Sequence, residues 1–194
     1  MLRIVLVHPG ATDFDEQRRI KGTLDLPLSD TGTLQVAQTT RELSELAVDC
    51  IYAAPCKSAM KTAEALAEQH RLPVRQSDKL LNLNHGLWQG KRIDEVKMNQ
   101  PRVYKQCQEH PETVCPPQGE TLESATLRVR RFLDKLQRKH KKGVVAVVLP
   151  EPLLSLMRSC LNDREMGDLW KAECDNGGWE VIDVLPQKSM FSWR

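Results

Sequence analysis

Apolar residues fall along this chain in two rhythms: short unbroken runs, and longer stretches in which they return every three or four positions. Arg3-Ile4-Val5-Leu6-Val7 opens with a β-branched run lacking polar alternation, the pattern of a strand covered on both faces. Ser29 then stands as an N-cap ahead of a helix carrying Leu34, Ala37, Leu43 and Leu46. Cys50-Ile51-Tyr52-Ala53 predicts a second short strand. After Pro55 a helix with Ala59, Ala63, Leu66 and Ala67 ends before Pro73, and Val74 marks a third strand, short and near an edge. The clearest helix follows Thr121, with Leu122, Ala125, Val129, Phe132, Leu133 and Leu136 forming one apolar stripe. Gly143 ends it, and Val144 to Leu149 reads as the strongest strand. Pro152 opens another helix at its first turn, where a missing N–H is harmless. Gly177-Gly178 leads into a last strand through Trp179, Val181, Ile182 and Val184.

Between about 82 and 120 both rhythms break down among Pro101, Pro111, Pro116 and Pro117. Short helices and an inserted cap are expected there, within a single domain spanning 1–194. Strands alternating with helices predict a three-layer α/β/α sandwich around a mostly parallel sheet. The strands at 3–7 and 144–149 are expected to lie adjacent and parallel. Such sheets bind ligands beyond the carboxyl ends of their strands, which points to His8-Pro9-Gly10 and to Pro150-Glu151.

Composition narrows the function classes. Lys and Arg number 28 against 26 Asp and Glu, for a net charge of +2, so bulk charge suggests neither a nucleic-acid binder nor a membrane-surface protein. The basic stretch from Arg128 to Lys142 reads as the solvated face of an amphipathic helix, its last cations complementing the helix dipole. Met1-Leu2-Arg3 runs straight into a strand with no signal peptide. No apolar run approaches the roughly 20 residues needed to cross a bilayer. A cytoplasmic location is therefore expected. The six cysteines lack close pairs and read as reduced thiols. Cys107, His110 and Cys115 gather three metal-ligand types, yet no fourth follows at finger spacing, so neither metal nor cofactor is expected. Trp88, Trp170, Trp179 and Trp193 read as packing residues, with Phe191 and Trp193 as marks of an interface.

At the predicted site the chain resembles a known family. Leu6-Val7-His8-Pro9-Gly10-Ala11-Thr12 is similar to Leu-Val-Arg-His-Gly-Glu-Thr, the opening signature of the histidine phosphatase (phosphoglycerate mutase-like) superfamily. Arg19-Ile20-Lys21-Gly22-Thr23-Leu24-Asp25-Leu26-Pro27-Leu28-Ser29 resembles its continuation. Ile51-Tyr52-Ala53-Ala54-Pro55, Gly86-Leu87-Trp88-Gln89-Gly90 and Pro117-Gln118-Gly119-Glu120-Thr121 resemble later blocks in the same order.

The resemblance implies phosphoryl transfer through a phosphohistidine, with arginines and a second histidine on the phosphate and a carboxylic acid protonating the leaving group. Carried over by position, Pro9 stands at the nucleophile, His8 and Ser58 at the two arginines, Asn82 at the acid and Pro150 at the second histidine. All of these principal positions are changed. A one-residue slip that made His8 the nucleophile would aim its ring to the opposite face. Arg18, Arg19 and Lys21 remain as a basic rim able to attract an anion. The expectation is a non-catalytic protein, a pseudoenzyme on this fold. It would bind another protein, a second copy of itself as a homodimer, or a small molecule, and not a membrane or nucleic acid. The alternative is a phosphatase or phosphoglycerate mutase acting with substituted residues.

Overall fold

The structure, a computed structural model, describes residues 1–173 and 178–184. The expectations for Gly177, Phe191 and Trp193 lie outside the described residues, as does Cys174.

The chain begins with β1 (Leu2–Val7), passes a short helix α1 (Asp13–Glu16) and enters α2 (Asp30–Glu42). Then come β2 (Cys50–Ala53), α3 (Lys57–His70) and β3 (Val74–Gln76). The stretch from 82 to 120 holds α4 (Ile93–Asn99), α5 (Pro101–Glu109) and single 3-10 turns at Gly86–Trp88 and Pro111–Thr113. After it come α6 (Leu122–Lys139), β4 (Gly143–Val148), α7 (Leu153–Asn162), α8 (Leu169–Glu173) and β5 (Trp179–Val184).

The sheet order is β3-β2-β4-β1-β5. All pairings are parallel except that of β5, which runs antiparallel to β1 at the edge. β4 is buried from Val144 through Val148, because consecutive residues on opposite faces are all covered by helices. α2 packs with α3, and α6 with α7. The edge strand β5 instead alternates, leaving Trp179 and Val181 facing outward. Among the described residues no helix is long and apolar enough to cross a membrane.

Helix α6 buries the stripe read from the sequence. Helix α2 does not. Leu34 is 73% exposed, and the buried face is instead Gly32, Val36 and Thr39, with Leu43 just past the end. The cause is backbone contact. A Cβ placed on Gly32 would lie 2.0 Å from the Ala11 carbonyl oxygen, and one on Gly10 would lie 2.3 Å from that of Gly32. The two glycines let the loop after β1 press against the start of α2, and this contact turns the helix. Pro152 also stands one residue earlier than expected, at the N-cap of α7. Trp88 and Trp170 are buried and pack together at 5.9 Å between ring centres, with Tyr104 stacked on Trp170 at 5.3 Å.

Candidate functional site

β1 and β4 pair in register through Val7 and Val148, and β2 joins β4 on the other side through Ala53 and Val148. The three strands therefore release their chains together, at His8-Pro9, Ala54-Pro55 and Leu149-Pro150. A small cleft lies there, enclosing about 30 Å³ and lined by Thr12, Lys21, Cys56, Ser58, Asn82 and Pro150 among others. That enclosed floor admits one or two water molecules, and the cleft opens from it to solvent.

Each wall of the cleft has a local cause. Cys56 is the N-cap of α3 and Ser58 lies in its first turn, where the helix dipole favours negative charge and the Lys57 N–H donates to Asp25 Oδ1 at 2.7 Å. Burial pushes the Cys56 thiol up, opposed by the Ala59 N–H, the Ser58 hydroxyl and the charge of Lys21. Lys21 is ion-paired with Asp15. Asp15 is itself held by Thr12, accepting from its N–H at 2.7 Å and its hydroxyl at 2.8 Å. This is the reciprocal cap that starts α1. Asn82 donates from Nδ2 to the carbonyls of Gly22 at 3.1 Å and Glu151 at 2.8 Å. Its backbone is gripped by Arg128, which donates to the carbonyls of Lys79 at 2.9 Å and Asn82 at 3.2 Å while pairing with Glu120.

His8 does not line the cleft. Its Nε2 lies 3.8 Å from Glu151 Oε1, with the side chains 8% and 1% exposed. Glu151 directly follows Pro150 and is fixed by α7: its carboxylate accepts from the Ser155 N–H at 2.9 Å and the Ser155 hydroxyl at 3.1 Å. A second imidazole–carboxylate pair lies under the cap, where His85 Nε2 is 2.5 Å from Glu173 Oε1 and both side chains are sealed from solvent.

Of the residues singled out in the sequence, Ser58, Asn82, Pro150 and Lys21 converge on one cleft. Arg18 and Arg19 do not. Arg19 donates to the Gly90 carbonyl at 2.7 Å and to Gln17 at 2.8 Å, and it lies over the Phe14 ring. Arg18 adopts a left-handed φ of 53° and lines a separate open groove with Tyr104, Asp168 and Trp170. The basic rim thus reduces to Lys21, because the neighbouring backbone turns the two arginines away. Cys107 is fully buried, its thiol pushed up to about 12 by burial and by Asp168, while His110 and Cys115 are exposed. Sequence reasoning missed the partners Glu151, Asp15 and Thr12 and the pair His85–Glu173. The Thr-x-x-Asp spacing of Thr12 and Asp15 was a readable capping signal; the others meet only through the fold.

Residues 4–192 match the Histidine phosphatase superfamily (branch 1). The chain belongs to this superfamily. Phosphoserine phosphatase 1 of Hydrogenobacter thermophilus is 30% identical over 191 residues, which is 98% of this chain and 90% of that protein. An uncharacterized phosphatase of Bacillus subtilis, PhoE, is 29% identical over 149 residues, covering 76% and 71% of the two chains. Among solved structures, a mycobacterial glucosyl-3-phosphoglycerate phosphatase in complex with VO3 superposes with a TM-score of 0.83 at 23% identity, covering 93% of this chain and 92% of that one. At that identity the structural likeness speaks for the fold alone.

These relatives correct the non-catalytic reading drawn from the sequence. Full-length similarity to superfamily members named as phosphatases favours the alternative, a phosphatase with substituted residues. The non-catalytic reading rested on residue types at single positions. The sequence reading counted the side chains missing at Pro9, Ser58, Asn82 and Pro150, and it judged His8 by strand alternation alone. It did not see that Glu151 closes on His8 to form a buried imidazole–carboxylate pair beside the cleft.

Proposed function

We propose that this superfamily member hydrolyses small phosphomonoesters, working with residues substituted at the family's principal positions. The carrying observation is the His8–Glu151 pair, set directly behind the cleft wall at Pro150. Pro9 and Pro150 offer no nucleophile, acid or base, so proton transfer falls to His8. An imidazole beside a fixed carboxylate is suited to take a proton, relayed through one water, from the water that attacks phosphorus, and to return it by the same relay to the departing alkoxide as the P–O ester bond breaks. Glu151 stabilises the imidazolium that forms. On the cleft wall, Lys21, held by Asp15, and Ser58 in the first turn of α3 are the groups that can donate hydrogen bonds to the phosphoryl oxygens. The phosphatase names of the relatives support the substrate class.

The test is hydrolysis of an aryl phosphate and of phosphoserine by purified protein. Turnover should co-purify with the chain and fall roughly 10²–10⁴-fold in His8→Ala. Turnover that survives His8→Ala unchanged, or that separates from the protein on a further column, would sink this reading.

A further inference from the structure

The sheet has two edges, and they are finished differently. At one end β3 is only three residues long. At the other, β5 runs six residues, Trp179–Val184, in unbroken register with β1. It carries no proline, lysine or bulge, the devices by which sheets blunt an edge. Trp179 and Val181 stand 37% and 40% exposed on it.

The register decides which backbone groups are free. The His8 N–H donates to the Gly178 carbonyl, and bonded pairs alternate along an antiparallel ladder. Glu180, Ile182 and Val184 therefore bond to Leu6, Ile4 and Leu2. Trp179, Val181 and Asp183 turn their N–H and C=O groups outward, and among the described residues no strand meets them. A row of donors and acceptors at every second residue is the template for one more strand.

We infer that this edge receives a second copy of the chain, the two β5 strands pairing antiparallel about a two-fold axis at Val181. In that register Val181 stands opposite Val181, Trp179 opposite Asp183 and Glu180 opposite Ile182. A shift that set Glu180 against Asp183 is barred, because it would bring outward-facing groups against ones already bonded to β1. Each acid on the edge also has a cation of its own chain: Glu180 pairs with Arg158, and Asp183 stands opposite Arg3. Like charges therefore do not meet directly across the axis. β3 is too short to offer the same ladder, so the contact uses the same strand of both chains and closes at two.

The alternation supplies the test. Val181→Pro deletes an outward N–H and leaves every bond to β1 in place. Sedimentation equilibrium of the wild-type chain, loaded from about 1 to about 300 µM, should give a dimer with the micromolar dissociation constant of a small interface. Val181→Pro should raise that constant about 100-fold, since each copy loses one hydrogen bond to the other. Met98→Lys, at an exposed residue of the cap, should leave it unchanged. A thermal melt checks that each variant is folded. If Val181→Pro is not, Val181→Lys makes the same test by setting two cations face to face at the axis. A wild-type chain that stays monomeric to about 300 µM leaves the edge to some other strand and overturns the inference. Assembly beyond two chains, or a dimer that survives a folded Val181 variant, overturns it as well.

Discussion

Two imidazole–carboxylate pairs are buried in this protein, and they are built differently. Under the cap, His85 and Glu173 stand 2.5 Å apart, both sealed, and among the described residues no hydrogen bond reaches either group. Beside the cleft, His8 and Glu151 stand 3.8 Å apart, and Glu151 divides itself between the imidazole and the first turn of α7 at Ser155. Residue types are the same in both; the second partner is what differs. A carboxylate with only one partner makes a closed pair whose removal strands a buried polar group. A carboxylate that also caps a helix start keeps a protein partner at Ser155 whatever happens to its imidazole.

The largest expected effect comes from breaking the closed pair. Glu173→Gln should lower the stability of the fold by about 3–5 kcal/mol, read as a fall in the urea midpoint with the slope unchanged. The same substitution at the cleft, Glu151→Gln, should cost only about 1 kcal/mol, since Ser155 still finds an acceptor and the loss is that of charge at a helix start. It should nevertheless reduce hydrolysis far more than Glu173→Gln reduces it per folded molecule. Equal stability losses at the two sites would show that the second partner does not matter and would dissolve the comparison.

The smallest expected effect concerns a third imidazole. Burial, and then Lys139 and Arg75, hold the His140 ring below its usual range. Between that lowered value and the unfolded value near 6.5, the unfolded chain binds the extra proton and the folded one does not. Stability should therefore fall slightly as pH drops from 7 through 6, and His140→Asn should flatten that slope. An unchanged slope in the variant would assign the pH dependence to another group.

Much of the fold was legible because periodicity reports burial. β1, β4 and the stripe of α6 are surrounded on the sides their sequences announce. The face of α2 was not legible, because it is set by a backbone approach between Gly10 and Gly32 and not by its largest apolar residues. In the site, Ser58, Asn82 and Pro150 could be placed by motif order. The choice among Arg18, Arg19 and Lys21 could not, for three neighbouring cations look alike until a left-handed turn at Arg18 and the Gly90 carbonyl draw two of them off. Glu151 was in view as the end of a strand, but its meaning depended on His8 at the end of the neighbouring one.

Arg128 belongs to the basic run that reads as a solvated face, yet its guanidinium spans the distance from α6 to the loop that carries Asn82, with Glu120 as counter-ion. The loop from 79 to 84 has little regular structure of its own and would ordinarily breathe on its own schedule. Because it is fastened to a long amphipathic helix through one planar fork, its opening should be coupled to that of the first turns of α6. Its amides should then exchange in step with those of that helix, and the cleft should inherit the lifetime of α6.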